Sequence, residues 1–162
     1  MKMFDNLSEI DLIIRNDVDL WKLLYYKSNH WQDDPLTKDS ILDYPIEKQF
    51  PIINLRLKYT PVTSDLANTE ICRIIFYPAQ RRPQQNNYMV ADQEINFDIF
   101  CHANFNNVDM RLSKISDRVN ELFSNRRITG MGKATFVSGK PFTLSDKGYV
   151  GYTLVYRFGS GT

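Results

Sequence analysis

Cysteine is scarce in this sequence. There are two, Cys72 and Cys101, and no Cys-x-x-Cys pair. Two thiols are too few for a disulfide framework, and both are expected to be reduced and buried. Histidine is equally scarce, with only His30 and His102. A zinc site wants three or four ligands, usually with close pairs. Cys101 and His102 are neighbours, so a strand sends them to opposite faces, which also excludes a Cys–His nucleophile pair. No metal, cofactor or catalytic set is therefore expected. No apolar run approaches the ~20 residues of a membrane span. Met1 to Asn6 carries charge early and lacks the apolar stretch of a signal peptide. These absences predict a non-membrane protein made in the cytosol, or packed into a particle from there.

Other motifs fail on context. Gly130-Met131-Gly132-Lys133-Ala134 lacks the phosphate-loop spacing and precedes a strand rather than a helix, so it reads as a turn. Asp33-Asp34 before Pro35 has no second carboxylate to work with. Arg81, Arg82, Arg126 and Arg127 are basic, but a net charge of +1 is far from the dense basic face of a nucleic-acid-binding domain. An enzyme would have to gather Arg73, Asp98 and His102 in one pocket. Asp98 and His102 do share a strand face with Asn96.

What the chain does have is an ordinary globular composition, 43% hydrophobic and 24% charged, with 13% aromatic residues. Its 162 residues suit a single domain with a core of its own. Charge is unevenly spread. Residues 1–50 hold ten acidic and six basic side chains, whereas residues 51–162 hold nine acidic and fourteen basic. That split suits head-to-tail contact between copies, because complementary charge fixes register, and it equally suits plain solvated surface.

Periodicity supplies the elements. Leu7, Ile10, Ile14, Val18, Trp21 and Tyr25 mark a helix over 8–27. It breaks where Asn16 and Asp17 can cap a second helix from Val18 to Tyr26. Residues 28–45 read as a long polar loop. Alternation predicts strands at 52–60, 70–77 and 94–102, with 78–92 a second long loop containing two prolines. The clearest helix is 108–125, capped by Asn107, with Leu112, Ile115, Val119 and Leu122 inward and Arg111 and Arg118 in water. Strands follow at 133–138 and 149–158, with a short extended piece over 142–144. The expected fold is α+β: a mainly antiparallel sheet of four to five strands on one long helix, with an extra N-terminal helical segment. The expected divisions are 1–50 (helical segment and loop), 51–158 (sheet and helix) and 159–162 (flexible tail).

Two stretches carry a resemblance. One runs from Asp19-Leu20-Trp21-Lys22-Leu23-Leu24-Tyr25-Tyr26 to Asp33-Asp34-Pro35-Leu36 and resembles neck and tail-joining proteins of tailed bacteriophages. The other is the strand–helix–strand–strand block from Ile95 to Phe158, with the words FDIFCH, KISDRVNELF and GYVGYTLVYRF. It resembles the tail-terminator and tail-completion family of long-tailed phages, and the inserts at 28–45 and 78–92 depart from a minimal terminator. The resemblance implies a structural virion protein assembled in the host cytoplasm. It would form a homo-oligomeric ring, commonly a hexamer, at the tail end or neck, between tail tube protein and head-side connector, with DNA passing through the lumen. On that picture Arg81, Arg82, Gln84, Gln85 and Tyr88 lie on an arm that reaches a neighbour or the lumen. Trp31, Asp33, Asp34 and Leu36 form a second contact surface. Arg126 and Arg127 meet the acidic N-terminal part of the next subunit. The competing classes are a capsid accessory or other adaptor, and an enzyme of another kind.

Overall fold

The structure is a computed structural model that describes residues 2–130 and 132–161. Met131, in the glycine turn, and Thr162, in the expected tail, lie outside the described residues. Helices α1 (Met3–Asn16) and α2 (Val18–Tyr25) meet at Asp17, whose carboxylate accepts the Leu20 N–H at 2.9 Å. The predicted break is thus real, and α1 starts earlier than expected. Residues 28–45 contain two short 3-10 turns, Pro35–Thr37 and Ile41–Asp43.

The expected strand over 52–60 is wrong. Helix α3 spans Ile46–Arg56, and only Leu57–Lys58 forms a strand, β1. Adjacent Ile52 and Ile53 are both buried. A half-buried strand would send them to opposite faces, whereas one helical stripe accommodates both.

The expected loop over 78–92 is also wrong. Strand β2 runs Cys72–Gln84 and β3 runs Asn87–His102, joined by a tight turn at Gln85–Asn86. Pro78 and Pro83 are tolerated because β1 pairs β2 only at Ile74 and Ile75. The rest of β2 is a sheet edge, where a missing N–H is cheap.

The expected single helix over 108–125 is two, α4 (Ala103–Asp109) and α5 (Arg111–Phe123). Met110 separates them in the left-handed region at φ 55°. His102, not Asn107, caps the first, its Nδ1 accepting from the Asn104 N–H at 3.1 Å. Ile115, Val119 and Phe123 are fully buried on α5, and so is Arg111, which was expected in water. Strand β4 (Thr135–Leu144) is continuous through an irregularity at Phe136–Ser138. Strand β5 extends from Tyr149 to Gly161, so Gly159, Ser160 and Gly161 of the expected tail are laddered to β3.

The sheet order is β1-β2-β3-β5-β4. It is mixed rather than antiparallel throughout, since β1 and β2 are parallel. Several helices, not one long one, share its inner core. There Ile10, Trp21, Leu24, Ile115 and Phe123 meet Ile74, Phe97, Ile99 and Tyr156. The outer face holds a smaller cluster of Leu66, Ile71, Ile75, Phe100 and Tyr149. Gly151 makes this possible: a Cβ there would lie 2.1 Å from the Phe142 ring, which crosses it to reach Phe100 at 4.9 Å. The sulfurs of Cys72 and Cys101 sit 3.5 Å apart in the inner core. Burial and the neighbouring thiol push the Cys72 pKa up, which keeps it protonated and unreactive. Ellman's reagent is therefore expected to find no accessible thiol in the native protein and two equivalents after denaturation in guanidinium. Fast native labelling would contradict this packing.

Candidate functional site

The outer half of β2, the start of β3 and the end of β5 leave the body together as a three-stranded arm. Its base is locked by Gln93, a fully buried amide. Gln93 Nε2 donates to the carbonyls of Ala79 and Gln80 at 3.4 Å and of Glu94 at 2.8 Å. These carbonyls lie where the ladder shifts register between Pro78 and Arg81. Arg81 donates to Ser160 Oγ at 3.3 Å and to the Gly161 carbonyl, tying β2 to β5. Gln84 donates to Asp92 at 2.9 Å, and Arg82 to the Gln80 amide oxygen at 2.6 Å. Gln80, Arg82, Gln84, Gln85, Asp92 and Arg157 line a polar groove of about 440 Å³ along the arm.

At the tip, β3 carries residues that β2 does not match. The register jumps from Pro83↔Ala91 to Gln84↔Asn87. Tyr88 and Met89 are pushed off that ladder, 81% and 65% exposed. Bulges of this kind re-aim side chains, and here they point two large apolar groups outward. All five arm residues singled out in the sequence lie on this one projection.

The second predicted surface is only partly assembled. Trp31, Asp34 and Leu36 line a groove of about 450 Å³ with Asp117, Arg118 and Glu121 of α5. Trp31 is 73% exposed. Asp34 accepts the Leu36 N–H at 2.9 Å, and Asp33 accepts from the Asn29 N–H at 3.0 Å and from Lys38 at 3.1 Å. The Asn29 N–H and then Lys38 hold the Asp33 pKa below the ordinary carboxylate value. Both carboxylates thus fold the loop. Arg118 is clamped on Asp17 at 2.5 and 2.9 Å, which raises its pKa. Arg126 and Arg127 leave the far end of α5, where Arg126 donates to the Glu121 carbonyl at 3.3 Å, as a cation at a helix C-terminus should.

Arg73, Asp98 and His102, the residues an enzyme pocket would gather, each have hydrogen-bond partners in the fold. Arg73 is buried and forks onto Asp65 at 3.0 and 2.6 Å. Asp98 accepts from Tyr77 at 2.8 Å and Thr153 at 2.6 Å. Among the described residues no cluster of His, Cys, Asp and Glu is placed to hold a metal ion, and no helix is long and apolar enough to cross a membrane.

Sequence reasoning missed an apolar groove of about 550 Å³ between α1 and the free edge of β2. Phe4, Leu7 and Leu12 form one wall, and Tyr59, Phe76 and Pro78 the other. The signal was present in the spacing of Phe4, Ser8 and Leu12, one side of a helix. It was hidden by the stronger core stripe of Ile10 and Ile14. Tyr59 is fixed there by donating to Asp11 at 2.7 Å and accepting from Arg15 at 2.8 Å.

Comparison with known proteins adds the family. A family model described as YomW matches residues 17–158. The SPbeta prophage-derived uncharacterized protein YomW of Bacillus subtilis (strain 168) is 32% identical over 171 residues, covering 96% of each chain.

Proposed function

This chain belongs to the YomW family, and from the prophage origin of its Bacillus relative together with the arm we infer that it is a structural subunit of a phage particle. In this reading copies build a closed ring, of six subunits, at the neck. The ring ends the tail tube, or joins it to the head-side connector, with DNA passing through the lumen. Its work is docking rather than catalysis, without a cofactor. The observation that carries the reading is the braced arm, which ends in the exposed Tyr88 and Met89. Heterologous contacts repeated about an axis close into rings, and a ring matching the tube end but not the next tube subunit halts polymerisation. The prophage relative equally suits a capsid accessory or adaptor.

The test is deletion of the gene from a phage that carries it, followed by electron microscopy and mass spectrometry of purified particles. The expected result is full heads and tails that fail to join, or tails of uncontrolled length, with the protein present in wild-type virions. Normal particles without the protein would end the structural reading. Normal heads and tails with defective packaging or capsid stability would favour the accessory role.

A further inference from the structure

We propose that the apolar groove between α1 and β2 receives the arm tip, Tyr88 and Met89, of a second copy of this chain. The proposal rests on the reading of the protein as a self-assembling subunit and names the contact that would do the assembling.

Both halves of the contact are unfilled in the isolated chain. The groove is walled by Phe4, Leu7 and Leu12 on one side and Phe76 and Pro78 on the other. Phe4 is 78% and Leu12 53% exposed. The tip offers the chemistry that fills such a groove, an aromatic ring with a polar end and a flexible thioether. Aromatic residues and Met are enriched in interface cores for that reason.

A chain cannot satisfy its own groove. Pro78 lines the groove and also starts the arm, and from Pro78 to Gln85 a strand extends roughly 23 Å at about 3.3 Å per residue. The arm cannot double back, because β5 pairs with β3 from Gln93 out to Val90 and Arg81 ties β2 to Gly161. Tip and groove are thus separate surfaces of one chain, the arrangement that produces head-to-tail association.

Charge fits the same pairing. The arm carries Arg81, Arg82 and Arg157 against Asp92, which lies opposite Arg82 in the ladder, and Glu94 at its base, and beyond Asp92 its tip holds no acidic residue, whereas α1 carries Asp5, Glu9 and Asp11 against Arg15. The guanidinium of Arg82 rests on a neutral amide, Gln80, in the single chain. An acidic helix bordering the groove steers the basic arm towards it and disfavours arm-to-arm contact.

The test is sedimentation velocity on three purified full-length proteins: wild type, the double variant Tyr88→Asp with Met89→Asp, and Leu12→Asp. All three substituted positions are largely exposed, so circular dichroism spectra are expected to match wild type. Wild type is expected to self-associate. Each variant is expected to do so about 30-fold more weakly, the scale of a lost hot spot. An equimolar mixture of the variants is the sharper readout. One keeps its groove and the other its arm, so the mixture is expected to form dimers that stop at two. A wild type that stays monomeric would overturn the proposal and assign the groove to a different protein, as would variants that assemble like wild type. Failure here is separable from failure of the particle role. Virions that contain the protein while these variants still assemble would keep the role and discard the contact. Arm-dependent oligomers absent from virions would do the reverse.

Discussion

Replacing Arg111 with alanine is expected to lower the unfolding free energy by about 3–5 kcal/mol, the usual cost of stranding one partner of a buried ion pair. Arg111 is fully buried. It donates to Asp109 at 3.0 Å, to Ser28 at 2.9 Å, and to the carbonyls of Leu23, at 2.7 Å, and Tyr26. One side chain thus joins the end of α2, the chain leaving it and the start of α5. Alanine would leave the Asp109 carboxylate, 1% exposed, with only the distant Lys114 ammonium at 3.4 Å as a cationic partner. It would also strip the buried Leu23 carbonyl, at about 1–3 kcal/mol for an unsatisfied group, and the partly buried Tyr26 carbonyl. Urea unfolding followed by circular dichroism measures the loss. Arg111→Lys keeps the charge but not the fork, so it is expected to recover part of the stability. A loss below about 1 kcal/mol for alanine would mean that water replaces this network without penalty.

Phe97→Ala is expected to cost a similar amount, about 3–5 kcal/mol for a large-to-small change in a close-packed core. Phe97 is fully buried in the middle of β3. Its ring lies 4.9 Å from Phe123, 5.6 Å from Tyr156 and 5.8 Å from Phe76. It therefore links β2, β5 and α5, and its loss opens a cavity that four elements would have to close. Phe97→Leu retains most of the volume and is expected to fall well short of alanine. The two measurements belong together, since Arg111 holds the helices to each other and Phe97 holds the sheet to the helices. Equal costs for leucine and alanine would show that aromatic geometry, rather than filled volume, matters at this position.

Much of the fold was legible because periodicity is local. The alternation of Ile95, Phe97, Ile99 and Cys101 identified the inner face of β3, and the small Gly151 and Thr153 marked the crowded outer face of β5. Asp17 announced the α1–α2 break by its side-chain chemistry. The failures were tertiary. Ile53, Leu55 and Leu57 alternate as a strand would, yet the burial of both Ile52 and Ile53 put the segment in a helix. The glutamines and prolines of 78–92 look like a loop because the arm has few core contacts of its own. It is held as strand by ladder bonds and by Gln93, a buried polar group no apolar pattern can reveal. The five residues placed on an arm do share one projection, but as paired strand rather than loop. The α1 groove was missed because an exposed helix stripe means nothing until the neighbouring sheet edge is known to be bare. The Asp33 and Asp34 carboxylates bond within their own loop, a local pattern that the Asp-Asp-Pro spelling alone does not reveal.

The position of β5 bears on how the chain folds as it is synthesised. This strand is the latest of the five in chain order, yet it lies between β3 and β4 in the sheet. Its ladder joins residues 90–102 to residues 149–161, so both connecting helices and β4 must be made before the pairing can form. Closing so long a loop carries an entropic cost before any contact repays it. Until then the β2–β3 hairpin leaves the ribosome with one flank of β3 unpaired and Phe97 and Ile99 uncovered. Exposed edges of that kind recruit other chains. Chaperone capacity and synthesis temperature are therefore expected to govern soluble yield more than final stability does, and hydrogen exchange during refolding is expected to show β3–β5 amides protected last.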